Sequence, residues 1–263
     1  MANLSVNESI ALCEKSKSTI LNLSNKSMMI LSPEIQRLTN LKTLLLYNCS
    51  LTMPPCEICQ LRELEELNLE SNNLSMLPTG LASLVNLKCL CISNNPISCI
   101  GSDLRNLLSL KKLFMDNISL VTFPSEICEL LQLEYISMSN NNLQNIPDTI
   151  KQLKKLKWIR LSINKLQCLP ESFGTLESLH YLDLSDNDFS LIPDCVVKCP
   201  ILKTIDLHKN KIERISEYFI QYFLKMGKID FRQNNINDMP IELMSTDFIY
   251  RESFDGPFSH IIF

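Results

Sequence analysis

The chain has 263 residues, with 25 basic and 29 acidic side chains, a net charge of −4 and a pI near 5.5; 45% of residues are hydrophobic and 21% charged. Those globular values exclude a wholly disordered chain, and the acidic pI leaves no electrostatic footprint for nucleic acid. Five glycines are few for an enzyme that cradles phosphate on backbone, whereas 45 leucines and 24 asparagines signal a repeat.

At the N-terminus, MANLSVNESIALCEKSKSTI has neither a basic start nor a continuous apolar core, so no secretory leader is expected. No later stretch approaches ~18 uninterrupted apolar residues, so no membrane span is expected either. Residues 7–15 read as a short amphipathic helix, with Asn7 or Ser9 near its start and Ile10, Leu12 and Cys13 available for burial. Together with its flanks it forms a cap, residues 1–17, over the first repeat.

The repeat itself is plainest at Leu64, where LEELNLESNNL fits Leu-x-x-Leu-x-Leu-x-x-Asn-x-Leu. Steps of 23 give unit starts at Ser18, Leu41, Leu64, Leu87, Leu110, Leu133, Leu156, Leu179 and Leu202; one extra residue puts the tenth at Met226. The repeat region is thus 18–248. Apolar residues at the fourth and sixth positions, such as Leu67 and Leu69, predict a strand with one buried face. The ninth position is Asn72, Asn95, Asn141, Asn164, Asn187, Asn210 and Asn234, with Cys49 as a small substitute. A carboxamide there can satisfy main-chain groups of adjacent turns. Lys26 and Ile118 interrupt this ladder, which predicts looser first and fifth units. The second half of each unit, as in FPSEICEL or IPDTIKQL, starts a helical turn at proline and follows it with an acidic residue.

Spacing of this kind is the leucine-rich repeat signature. The 23-residue unit with its Leu-Pro-x-x-Ile half resembles the intracellular leucine-rich repeat proteins related to Ras suppressors, Erbin and Scribble. The expected fold is an α/β solenoid of ten repeats, curved, with a parallel β-sheet on the concave face and short helices or turns on the convex face. The resemblance implies a protein-binding role without catalysis or cofactor, in intracellular signalling, with a small GTPase or a phosphatase as partner. With no leader expected, the chain is expected to be cytoplasmic and monomeric, with nuclear entry left open. Eleven cysteines, an odd number, agree with reduced thiols.

The concave surface carries the third, fifth, seventh and eighth positions. Units six to eight present Tyr135, Trp158 and Tyr181 at the third position, and Phe114 lies one unit earlier at the fifth. The fifth position then reads Arg160, Asp183, Asp206 and Asp230, flanked by His208 and Arg232. Exposed Trp, Tyr and Arg are the usual centre of an interface, and aligned carboxylates would suit a basic, partly apolar partner. The alternative is that the aromatic rings stack only to support one another across strands. Units one to four offer a blander surface of Asn22, Ser24, Asn68, Ser71, Ser93 and Asn94.

Two chemical readings are weaker. Cys56-x-x-Cys59 and Cys89-x-Cys91 could suggest zinc, but by register the first pair is convex and the second lies on the sheet, so four sulfurs cannot share one ion. His180, His208 and His260 sit at unrelated positions and form no triad with a serine and an acid. The tail, residues 249–263, is rich in aromatics (Tyr250, Phe254, Phe258, Phe263) and reads as a second cap or as a binding motif. A structural role in cytoskeletal or ciliary assembly, through the convex face or this tail, is the alternative function.

Overall fold

The structure is a computed structural model that describes residues 4–237 and 240–244. Ten three-residue strands form one parallel sheet in strict sequence order. They are β1 (Ile20–Asn22), β2 (Thr43–Leu45), β3 (Glu66–Asn68), β4 (Cys89–Cys91), β5 (Lys112–Phe114), β6 (Tyr135–Ser137), β7 (Trp158–Arg160), β8 (Tyr181–Asp183), β9 (Thr204–Asp206) and β10 (Lys228–Asp230). Each occupies the third to fifth positions of its unit, and equivalent residues face each other: Trp158 pairs with Tyr181, Asp183 with Asp206. The fourth and sixth positions supply the core, with Leu44, Leu67, Ile136, Ile159, Leu69 and Met138 all fully buried. No unit closes this core alone, because each leucine layer is covered only by the next unit.

The convex side takes the turn form of the expected short helices or turns. It is built mainly from short 3-10 turns, five residues long in units such as Asp148–Gln152 and Glu171–Thr175. Only a few residues separate the buried apolar side chains at either end, as between Ile146 and Leu153, and the tighter i→i+3 turn fits that span. Proline precedes these turns, as at Pro124, Pro147 and Pro170, in extended backbone where its missing N–H is not needed. The extra residue of unit nine coincides with a true helix, α2 (Glu217–Phe223), capped by Ser216 Oγ accepting from the Tyr218 N–H. Turns seven and eight stack so closely that a Cβ on Gly174 would lie 2.7 Å from Lys198 Cβ and 2.8 Å from the Cys195 carbonyl oxygen.

At the start, helix α1 (Val6–Ser16) is capped by Ser5, not by Asn7 or Ser9. The Ser5 hydroxyl accepts from the Glu8 N–H at 3.3 Å and Glu8 Oε2 from the Ser5 N–H at 2.7 Å, a reciprocal capping box. Ile10 and Cys13 are buried against the first repeat, whereas Leu12 is exposed. No helix among the described residues is long and apolar enough to cross a membrane. The aromatic tail, 249–263, lies outside the described residues.

The asparagine ladder follows one rule. In Asn164, Nδ2 donates to Met138 O in the preceding unit and to Leu161 O in its own, while Oδ1 accepts from the Leu143 N–H, all at 3.0 Å. Asn187 and Asn210 repeat the same three bonds one and two units later. The interruptions are not loose ends. Beside Ile118, Asn141 Oδ1 accepts from two amides, Ile118 and Leu120, at 3.1 and 3.0 Å. Beside Cys49, Asn72 does the same for Cys49 and Leu51. Lys26 leaves the ladder to donate to Leu4 O and, at 2.9 Å, to Ser9 Oγ, so it fastens the cap helix.

A second regularity explains much of the remaining asparagine. The eighth position is left-handed in every unit, from Asn25 (φ 62°) to Gln233 (φ 55°). Asparagine tolerates that region best among residues with a side chain, and it occupies five of these ten positions: Asn25, Asn48, Asn94, Asn117 and Asn140. Ile163 (φ 53°) is the β-branched exception.

A candidate partner-binding face

The strands β6, β7 and β8 bring Tyr135, Trp158 and Tyr181 into one stack. The Tyr135 and Trp158 rings lie 6.4 Å apart at 8°, and Trp158 and Tyr181 lie 4.9 Å apart at 30°. The Lys112 ammonium sits 5.6 Å from the Tyr135 ring centre. In-register pairing alone enforces this contact, so mutual support across strands is part of what these rings do. They are not equally accessible: Tyr135 and Trp158 are half-buried, but Tyr181 is only 3% exposed. Phe114 is buried too, packed with Cys89 and Cys91, so it covers two thiols instead of facing a partner. That burial pushes the Cys89 thiol up to about 12 and Cys91 higher still, which keeps both protonated.

The carboxylate row also differs from expectation. Asp183, Asp206 and Asp230 form the floor of the face, at 6%, 2% and 5% exposure, instead of a solvated line. Each accepts the N–H two residues ahead: Ser185 at 3.0 Å, His208 at 3.0 Å and Arg232 at 2.9 Å. Asn68 does the same for Glu70 at 2.8 Å, which identifies the fifth position as a local cap on the end of the strand. Basic side chains lie over this floor. His208 Nδ1 is 2.7 Å from Asp206, Arg232 Nη2 is 2.5 Å from Asp230, and Arg160 Nε is 3.4 Å from Asp183. Burial, with the Asp206 charge alongside, raises the Asp183 carboxyl above its ordinary range despite the bonds from Ser185. Burial acts on Asp230 too, but the Arg232 bonds outweigh it and hold that carboxyl low. The Asp206 hydrogen bond raises the His208 imidazole.

Between the aromatic stack and these pairs lies a depression of about 600 Å³, bordered by Ser139, Arg160, Ser162, Ile163, Tyr181, Asp183, Ser185, Asp206, His208 and Arg232. Its room comes from serine at the seventh position in units six to eight: Ser139, Ser162 and Ser185 stand where units nine and ten have His208 and Arg232. That run of small residues, and Ile163 at the rim, were readable in the sequence but carry no motif. The quieter half of the sheet is less neutral than its serines imply. Ser93 is buried, with its Oγ accepting from the Asp116 N–H at 3.0 Å, and Asp116 in turn accepts from Ser137 and Ser139.

The site holds no reactive constellation. The Ser185 hydroxyl donates to Asp183 at 2.6 Å, not to a histidine, and His180 Nδ1 is 2.6 Å from the Ser178 carbonyl. Asp206, His208 and Asp230 bring ligand atoms within 4.8 Å of one another, the one such trio among the described residues. The donors are already engaged, Asp206 with His208 and both oxygens of Asp230 with Arg232, and the adjacent guanidinium opposes a cation. Cys56 and Cys59 lie on the convex 3-10 turn, away from Cys89 and Cys91 on the sheet. His260 lies outside the described residues.

Family profiles agree with this architecture: one described as Leucine rich repeat matches residues 131–189, and another, Leucine Rich Repeat, matches 40–61 and 63–84. No curated protein matches the chain in sequence. Among solved structures, a Leptospira interrogans leucine-rich repeat protein is 27% identical with a TM-score of 0.66, covering 89% of this chain and 72% of its own. TLR13, solved in complex with ssRNA13, is 27% identical with a TM-score of 0.71; 88% of this chain aligns to 34% of it. A plant peptide hormone receptor, RGFR1 in complex with RGF2, is 27% identical with a TM-score of 0.65, over 84% of this chain and 39% of the receptor. Ten in-register parallel strands, an asparagine ladder and these matches together identify a leucine-rich repeat solenoid.

Proposed function

We propose that this chain is a non-enzymatic adaptor or regulatory subunit that holds another protein on the concave face of units five to ten. Leucine-rich repeat folds commonly mediate protein–protein interaction. The observation that carries the reading here is the half-buried Trp158, stacked between two tyrosines and set beside a depression of about 600 Å³ with polar walls. A rigid aromatic anchor next to a recess is what an interface centre needs. An intracellular setting, with a small GTPase or phosphatase as partner, belongs to the same proposal.

A second reading, docking for assembly along an edge of the solenoid, has one observation in its favour. Met29, Ile30, Met53 and Met76 are 56–69% exposed on successive units, and Met76 borders an apolar groove of about 390 Å³ with Leu77, Cys99 and Gly101. Affinity capture from cells separates the two. The concave reading expects Trp158→Ala to lose the partner while the chain stays folded, its thermal midpoint lowered only by the lost ring contacts. Retention by Trp158→Ala, with loss on a Met53→Ser, Met76→Ser variant, would replace it with the edge reading.

A further inference from the structure

Charge on the concave face is layered, and the layering decides what the face attracts. The side chains of Asp183, Asp206 and Asp230 keep 9%, 3% and 6% of their surface, whereas those of Arg160, His208 and Arg232 above them keep 25%, 33% and 37%. The carboxylates are also engaged by backbone N–H groups, so the more accessible ionisable groups at the mouth of the depression are guanidinium and imidazole. Away from the depression, the far edge of the sheet has the same sign. At the second position, Lys111, Lys157 and Lys203 line one edge of units five to nine, and the lone acid among them, Glu134, is bonded to Lys157 at 2.6 Å. In a chain of net charge −4, the accessible part of this face is locally basic.

We propose that the depression receives an acidic peptide segment of a protein partner, with a carboxylate seated between Arg160 and Arg232 and an apolar neighbour against Trp158 and Ile163. This rests on the concave-face reading and reverses the partner charge that the aspartate row suggests. Guanidinium N–H groups recognise a carboxylate by geometry as well as charge. The half-exposed Ile163, with the edge of Trp158, supplies the apolar contact. A single-stranded nucleic acid is the other polyanion that a basic groove attracts. It binds by stacking bases on open aromatic faces, and both faces of Trp158 are already occupied by Tyr135 and Tyr181.

Trp158 is the chain's single tryptophan, so its fluorescence reports this face directly. The full chain is titrated at low salt with poly-L-glutamate, poly-L-lysine and polyuridylate. The proposal expects a saturable change in Trp158 emission with polyglutamate, weakened by salt, and none with polylysine. Arg160→Glu and Arg232→Glu should each weaken it by about tenfold or more. Because Arg160 lies against the floor and its variant risks misfolding, the exposed pair Lys111→Glu, Lys203→Glu serves as a second variant and should weaken binding less, but measurably. A response to polylysine, polyglutamate binding indifferent to all these charges, or polyuridylate binding with the same arginine dependence would each overturn the proposal. Its failure is separable from that of the concave reading. A captured protein partner lost with Trp158→Ala but kept by both arginine variants refutes the acidic segment alone, whereas a partner kept by Trp158→Ala refutes both.

Discussion

Asn141 and Asn164 occupy the same ladder position one unit apart, yet their removal should cost very different amounts. In Asn164→Ala, Met138 O still accepts from Asn141 at 3.1 Å and Leu161 O from Asn187 at 2.9 Å. Only the Leu143 N–H, which donated to Asn164 at 3.0 Å, is orphaned. One buried unsatisfied amide costs ~1–3 kcal/mol. In Asn141→Ala the neighbouring ladder residue is Ile118, which can take over nothing. The amides of Ile118 and Leu120 both lose their acceptor, and Met115 O loses the donor that reached it at 2.9 Å. Three orphaned groups, partly relaxed together, cost ~3–6 kcal/mol. With a urea m-value of ~3 kcal/mol/M, the midpoint falls by ~0.3–1 M for Asn164→Ala and by ~1–2 M for Asn141→Ala. Hydrogen exchange then localises the effect, with protection lost first at the Ile118 and Leu120 amides. Equal midpoints for the two variants, or unchanged exchange at those amides in Asn141→Ala, would refute the account of the ladder.

Three further outcomes follow from the same geometry. Gly174→Ala, whose new methyl meets Lys198 Cβ and a backbone oxygen below 3 Å, should destabilise by ~1–3 kcal/mol, whereas Gly101→Ala, with nothing within 4 Å, should leave the melting midpoint within experimental error. Asn140→Ile at a left-handed eighth position (φ 54°) should cost ~1–2 kcal/mol in urea unfolding, and an unchanged midpoint would mean that the turn relaxes around β-branched residues. His208 is raised by its bond to Asp206, so its stabilising contribution is complete below the unfolded value of ~6.5 and fades as pH rises through the higher folded value. Wild type should therefore lose stability relative to His208→Gln above about pH 6.5, and parallel pH profiles for the two proteins would contradict this pairing.

The strands were legible because one register rule, apolar at the fourth and sixth positions, repeats ten times and can be checked against itself. The site was legible only in part. Register placed Trp158, Arg160 and Asp183 on the concave face, and the structure keeps them there. What register cannot supply is depth: Tyr181, Phe114 and the aspartates share the nominal outward direction, yet neighbouring side chains cover them. The fifth-position aspartate was misread for the same reason, since a carboxylate that caps its own strand and one that awaits a partner look alike in a sequence. Lys26 stood out as a gap in the ladder, and its bond to the cap helix could not be seen from spacing.

The ladder also gives the array a polarity. Every carboxamide accepts from the amide of the unit before it, as Asn210 does from Phe189 and Asn234 from Ile212. Removing a unit from the front therefore leaves the next one with a surplus acceptor, while removing one from the back strips its predecessor's amide of an acceptor. Loss of structure should travel upstream, from late units toward early ones, like stitches released from one end of a seam. A ligand seated over β8, β9 and β10 would pin that end, so that occupancy of the concave face would be felt as rigidity many units away, without any change of shape.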